Sequence, residues 1–306
     1  MEGCVDFSGG NYGIENTLQK GFRVVRHFLG SRIVEKIEID NTSGNKNVPE
    51  EELKIDIEGK SIFLSKGVCR FVDHLFKNGP KRISSWEMGR NAMSCSRRPK
   101  HYISRWIDFN EKFGLGYQLS DSSVGVNFKD NSRLVVDGSM ENYQYIDKNG
   151  ARVCFDYDKC PTNLGKRCKL LEYFKNYMEN NLLAEPPAEE HENIEIVDTG
   201  TPILLKWKRN DKCICFILLN GVFQINFLED HTKFIISIPT SSISIIDKDN
   251  KLKTYCLEGL INGGVDAFTE EKMFYIKKVI DEWTSLKRRH EGNDDVVVAK
   301  KSNNNK

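Results

Sequence analysis

No stretch of this 306-residue chain approaches the roughly 18 consecutive apolar residues that a membrane-spanning helix needs. Its start, Met1-Glu2-Gly3-Cys4-Val5-Asp6, has neither the basic flank nor the apolar core of a secretory signal. A cytosolic or nuclear protein is therefore expected. Nine cysteines occur without a single C-x-x-C pair, which argues against a disulfide framework and against a zinc site. Cys213 and Cys215, two apart in an apolar run, read as buried thiols on one face of a strand. Net charge is scarce as well: 45 basic residues against 44 acidic ones leave +1, too little field for general nucleic-acid binding. Any anion site must be local. No carboxylate pair, nucleophile with a base or metal-ligand cluster stands at catalytic spacing, so no cofactor or metal is implied.

What the chain does have is a repeat. Asn127-Phe128-Lys129-Asp130-Asn131-Ser132-Arg133-Leu134-Val135-Val136 returns as Asn226-Phe227-Leu228-Glu229-Asp230-His231-Thr232-Lys233-Phe234-Ile235-Ile236, with one inserted residue. Tyr145-Ile146-Asp147-Lys148 is echoed by Ile245-Ile246-Asp247-Lys248 at an offset of about 100 residues. One supersecondary unit is used twice, so two halves should meet at a seam. The second copy carries His231 and Lys233 where the first has Asn131 and Arg133.

Hydrophobic periodicity fills in the two halves. A helix-like run near Asn16 to Leu29 is followed by the polar, mobile-looking stretch Asn41 to Glu52. Val68, Phe71, Val72, Leu75 and Phe76 fall at helical spacing after Ser65, which can cap, and Gly79-Pro80 ends the run. From Trp106 onward short strands alternate with Asp/Asn/Ser/Gly turns until a helix over Leu164 to Leu182, with Leu164, Cys168, Leu171, Phe174 and Met178 on one stripe. The acidic segment Ala184 to Gly200 has no periodicity and joins the halves. The second half repeats the grammar, from a strand at Ile203 to Trp207 to a closing helix with Met273, Ile276, Val279, Ile280, Trp283 and Leu286 on its buried side. The tail after Arg289 is charged, asparagine-rich and expected to be disordered. The fold class is α+β: two tandem antiparallel six-stranded sheets, each packed with one C-terminal helix, with a short helix before them. Two such halves can cover each other, and the seam is expected to be an extended groove.

Three blocks carry a family resemblance: Trp106-Ile107-Asp108-Phe109 with Lys112-Phe113-Gly114-Leu115-Gly116-Tyr117-Gln118-Leu119, then Leu170-Leu171-Glu172-Tyr173-Phe174-Lys175-Asn176-Tyr177-Met178, then Gln224-Ile225-Asn226-Phe227-Leu228-Glu229-Asp230-His231-Thr232-Lys233. Over roughly residues 101 to 288 the chain resembles the C-terminal polo-box domain of polo-like kinases. The resemblance divides it into a polar, partly disordered region 1–60, a polo-cap-like helix and linker 61–100, polo box 1 at 101–183, a linker 184–200, polo box 2 at 201–288 and a tail 289–306.

The resemblance also implies a function. It places a phosphoserine or phosphothreonine peptide in the cleft between the boxes, with His231 and Lys233 on the phosphate. Trp106 would pack on the preceding residue, for which the family prefers serine; Leu183 would offer main-chain hydrogen bonds to it, and Asn226 and Arg209 would line the cleft. His231 and Lys233, two apart at a strand start, would send their side chains from one face. One phosphate site per chain is expected. Ile107, Phe109, Phe113, Leu170, Phe174 and Tyr177 read as packing of the first helix on its sheet, although the family can open a secondary hydrophobic groove there. Lys206, Lys208, Arg209 and Lys212 form a modest basic cluster, either a solvated face or a steering patch.

No kinase motif occurs: Gly9-Gly10-Asn11-Tyr12-Gly13 is a glycine-bearing turn, and Val5-Asp6-Phe7-Ser8 lacks the glycine that Asp-Phe-Gly requires. The chain is read either as a stand-alone polo-box protein or as the C-terminal part of a polo-like serine/threonine kinase. Its implied role is to target itself or a kinase catalytic subunit to primed Ser-pSer/pThr partners in mitosis, in cytoplasm and nucleus, at spindle poles, centrosome-like bodies and kinetochores, with no membrane or nucleic-acid partner. The alternative is a polo-box scaffold that acts by self-association.

Overall fold

The computed structural model describes residues 22–29, 32–39, 54–77, 79–92, 98–109, 111–183 and 200–283. The stretch 41–52, the acidic joining segment 184–199, Leu286 and the tail lie outside them, as do residues 16–21. β1 (Phe22–Leu29) and β2 (Arg32–Ile39) pair antiparallel in unbroken register, from Phe22 opposite Ile39 to Leu29 opposite Arg32. This corrects the helix expected over Asn16 to Leu29. β-Branched Val24, Val25, Ile33, Val34, Ile37 and Ile39 favour extended backbone, and a second such run two residues away supplies the partner. The hairpin falls in the first of two units, Met1–Glu50 and Glu51–Lys306.

The second unit opens with α1 (Ile57–Phe76). The helix begins well before Ser65, which corrects the shorter span read from the sequence. Asp56 is its N-cap and accepts from the Gly59 N–H at 2.9 Å, while the Ser65 hydroxyl donates inside the helix to the Ser61 carbonyl at 2.8 Å. Val68, Phe71, Val72 and Leu75 are buried as their spacing requires, each contributing about 1.5–3 kcal/mol by leaving water. A short strand β3 (Arg82–Ile83) and a short helix α2 (Ser85–Arg90), closed by a reciprocal Ser84/Glu87 capping box, lead to the first large sheet.

That sheet runs β4 (Ile103–Phe109), β5 (Gly114–Leu119), β6 (Val124–Phe128), β7 (Arg133–Val136), β8 (Asn142–Ile146) and β9 (Arg152–Asp156), neighbours in chain order and all antiparallel. α3 (Gly165–Asn181) covers one face. The second sheet repeats it with β10 (Leu204–Arg209), β11 (Cys213–Leu218), β12 (Val222–Phe227), β13 (Lys233–Ser237), β14 (Ser242–Ile246) and β15 (Leu252–Cys256). α4 (Leu257–Gly263), a strand β16 (Val265–Asp266) that pairs parallel with β3, and a helix α5 described over 267–283 complete it. The repeat extends to detail. Both first strands have a register shift, at Ile103/Arg105 and at Leu204/Lys206. Asp147 and Asp247 each fold the same turn, accepting from backbone N–H groups two and four residues on at 2.8 to 3.0 Å.

Strand alternation sorts the side chains into three cores. Val124, Val126, Leu134, Tyr143, Leu171, Phe174 and Met178 fill the space between the first sheet and α3. Cys213, Cys215, Phe223, Ile225, Phe234, Ile276 and Ile280 lie between the second sheet, α1 and α5. Tyr102, Ile103, Leu115, Tyr117, Leu119, Leu204, Ile214, Phe216, Leu218 and Ile235 join the two sheets. The seam is therefore a packed core with accessible margins, which corrects the extended groove expected there. The halves gain stability by closing that volume against each other. α1 bridges both: Ile55 N–H donates to the Gly150 carbonyl in the first sheet at 2.8 Å, while the helix body packs on β10, β11 and β12 of the second.

Candidate phosphopeptide site at the seam

β4 and β10, the edge strands of the two sheets, meet at the seam. On β4, half-buried Trp106 lies 6.3 Å from the Phe216 ring, and the Arg209 guanidinium of β10 stands 5.5 Å from the Trp106 ring centroid. Arg209 also pairs with Asp108 at 3.6 Å, which ties the two first strands together. Lys206 turns to the opposite face of β10, over Trp283 at 5.5 Å. Strand alternation thus separates Arg209 from Lys206 and Lys208, so the basic cluster read from the sequence is divided between two faces.

The β12–β13 hairpin supplies the other wall. Asn226 and Lys233 face each other directly across the strands, on the side that also carries Ile235 into the seam. His231 is not in the strand. It sits in the loop at φ 57°, a left-handed conformation, so the alternation expected to align it with Lys233 does not apply. Asp230 holds this loop: its Oδ1 accepts from the Thr232 N–H at 3.0 Å and hydroxyl at 2.6 Å, and its Oδ2 pairs with Lys272 of α5 at 2.5 Å. Burial pushes the Asp230 carboxyl up, but Lys272 and Thr232 more than offset this and leave it below the ordinary carboxylate range. His231 is exposed above that anchor.

At the margin of β4, Arg105 Nε donates to the Leu182 carbonyl at 3.1 Å, which brings the end of α3 to Trp106's neighbour. Leu183 follows and is 95% exposed. Trp106 and Arg209 therefore touch, and Arg209, Ile214, Asn226 and Lys233 stand in one row across β10 to β13, with His231 two residues before Lys233 in the loop. Phe109 packs on Phe174 and Tyr177 at 5.7 Å as core, but Phe113 is 42% exposed and stands outside that core, which corrects its placement there.

The sequence reading missed Gln224, which is 0% exposed and crosses the seam. Its Oε1 accepts from Ile103 N–H at 2.8 Å, and its Nε2 donates to Ile103 O and to Asn226 Oδ1, both at 2.9 Å. It missed Asp230 and Lys272 too, although the Asp-x-Ser and Asp-x-Thr spacing in the two repeat copies is a signal of matching loops.

Comparison with known proteins agrees with this architecture. The family model described as POLO box duplicated region matches residues 111–168 and 210–273. The serine/threonine-protein kinase PLK1 of Xenopus laevis is 36% identical over 190 residues, 62% of this chain and 31% of the kinase. PLK1 of Xenopus tropicalis is 35% identical over 275 residues, 90% of this chain and 44% of the kinase. The chain thus spans less than half the length of these relatives and aligns to their C-terminal part. The crystal structure of the budding yeast Cdc5 polo-box domain in complex with an Spc72 phosphopeptide superposes with a TM-score of 0.54 at 19% identity, covering 88% of this chain and 90% of that one. That likeness shows the fold. Two sheets in tandem, each followed by its helix, define a tandem polo-box domain. The chain belongs to the polo-box family of the polo-like kinases.

Proposed function

We propose that this chain is a phosphoserine/phosphothreonine peptide-binding module that takes the phosphate at His231 and Lys233 and the flanking peptide along Trp106, Leu183, Asn226 and Arg209. The observation that supports this most is the cross-strand row that carries Arg209, Asn226 and Lys233 at one end of the second sheet, with Arg209 over Trp106 of the first. A phosphate dianion accepts charge-assisted hydrogen bonds, each contributing about 1.5–3 kcal/mol. The exposed main chain at Leu183 and the edge of β4 offer a peptide backbone groups to pair with. The chain performs no phosphotransfer itself and serves to place a polo-like kinase, or itself, on partners already phosphorylated. The Cdc5 domain bound to a peptide of Spc72 and the kinase relatives support mitotic spindle-pole, centrosome-like and kinetochore partners as the class to test first.

Titration of the full chain with a fluorescent Ser-pThr peptide and its unphosphorylated twin, read by anisotropy, tests this. Micromolar or tighter binding that vanishes with the phosphate is expected. Equal affinity for both peptides, or none for either, would overturn the proposal.

A further inference from the structure

Gln224 is wholly buried, and every hydrogen bond of its amide has a defined polarity. A backbone N–H can only donate and a backbone carbonyl can only accept. The oxygen of Gln224 must therefore face Ile103 N–H and its nitrogen Ile103 O, and the flipped amide is excluded. The second Nε2 proton goes to Asn226, so the Asn226 atom it meets must be the oxygen. Asn226 is itself only 5% exposed, yet its Nδ2 has no acceptor among the described residues and is not sealed from solvent. It lies on the strand face shared with Lys233.

The equivalent asparagine of the first box is wired in reverse. Asn127 spends its Nδ2 on the Leu204 carbonyl at 3.1 Å, and its Oδ1 is sealed without a partner. Gly125 stands at the register of Gln224, and a Cβ there would lie 2.2 Å from Tyr117 Cζ. The space admits the Tyr117 ring, whose hydroxyl accepts from Leu204 N–H at 3.1 Å, the bond that Gln224 makes to Ile103 in the other box. Two solutions thus hold the opposite first strand. Only the glutamine solution also turns an asparagine.

We infer that Gln224 is a positioning residue of the peptide site: by holding Oδ1 of Asn226 it aims the two Nδ2 donors at the cleft, where they meet a phosphate oxygen or main-chain carbonyl of the ligand. This rests on the phosphopeptide reading. Between Asn226 and Lys233 the site then presents donors, because the Asn226 oxygen that would oppose a phosphate is occupied inside the seam.

The test uses the full chain, Gln224→Met, and the double variant Phe216→Tyr/Gln224→Gly, which installs the first box's tyrosine solution in the second. Side-chain amide exchange by 15N NMR, with signals assigned through Gln224→Met and Asn226→Asp, reads the orientation. Ser-pThr peptide anisotropy reads the consequence. Slow exchange is expected for Gln224 Nε2 and fast exchange for Asn226 Nδ2, slowing when peptide binds. Gln224→Met should lose about tenfold in affinity, the effect of one hydrogen bond to a charged acceptor. The double variant should keep its melting temperature within a few degrees and show the same loss, because its seam is held but its asparagine is not. Wild-type affinity in the double variant, or protected Asn226 Nδ2 in the free protein, overturns the inference, and if Gln224→Met fails to fold these two results still decide it. Absence of phosphopeptide binding by the wild type overturns the functional reading instead, and the exchange pattern alone then decides how Asn226 is turned.

Discussion

The loops at Asp130 and Asp230 are built from the same parts. Each aspartate accepts from the N–H and hydroxyl two residues on, Ser132 in one and Thr232 in the other. Each pairs with a cation from the following helix, Arg167 or Lys272, and that cation lies over the phenylalanine that starts the loop, at 4.7 Å from Phe128 and 3.9 Å from Phe227. Each places the next residue in the left-handed region, Asn131 at φ 66° and His231 at φ 57°. The loops differ in what the seam-facing cation does. Arg133 donates to the carbonyls of Leu204 and Leu205 at 3.0 and 2.8 Å and to that of Asn131 at 2.7 Å, so it holds the first strand of the other box. In the second copy Gln224 performs that task, and Lys233 stands with Asn226 at the margin. The scaffold is thus used twice, and in the second copy an uncharged side chain makes the bond to the opposite first strand that a cation makes in the first.

Replacing His231 with Ala and Lys233 with Met should separate the copies most sharply. Two charge-assisted bonds at about 1.5–3 kcal/mol each imply at least ~100-fold weaker phosphopeptide binding, with an unchanged melting temperature. An unfolded double variant by circular dichroism would show these residues to be structural. Arg133→Met should do the reverse, costing about 2–3 kcal/mol in urea denaturation because two carbonyls of β10 lose a charged donor; a purely functional loss there would break the comparison. A smaller effect concerns Asp130. Its bond to Arg167 holds the carboxyl down at about 2 against an ordinary 3.8, so its contribution is present above the ordinary value and lost as pH falls through about 2. Because the pair is largely exposed the contribution is modest, and Asp130→Asn should flatten acid unfolding between pH 4 and 2 relative to the wild type. Least of all should follow from Asn131→His with Arg133→Lys. Calorimetric stoichiometry should stay at one peptide per chain, because in the first box the cation at this position faces the carbonyls of Leu204 and Leu205, acceptors that would oppose a phosphate.

The repeat made most of this architecture legible. Strand periods, the α3 stripe and the two aspartate loops all follow from residues close in sequence, where side-chain alternation and turn chemistry act. The burial of Cys213 and Cys215 on one face followed from spacing alone. The start of α1 did not, because Asp56 caps eight residues of weak periodicity that tertiary packing keeps helical. Nor did the hairpin Phe22–Ile39, whose pairing partner decides between two readings of one apolar run. The candidate site residues Trp106, Asn226 and Lys233 are named through the family resemblance of the blocks that hold them. Gln224 could not be singled out, since its meaning lies in Ile103, 121 residues away, and no local period encodes a bond across the seam. The filled seam was missed for the same reason: two facing strand surfaces announce a core only once their partner is known.

α1 is tied at its start to the first box and lies along the second, and that has a consequence during synthesis. Val68, Phe71, Val72 and Leu75 leave the ribosome before either sheet exists, while β10 to β12 and α5, against which they bury, are made last. At roughly 5–20 residues per second the helix waits on the order of ten seconds or more with its apolar face uncovered. The first box can meanwhile close one face on α3, so the nascent chain passes through a stage with one sheet whose seam face is still open and one unsatisfied helix. A ribosome-bound chaperone that selects amphipathic helices would find its substrate there.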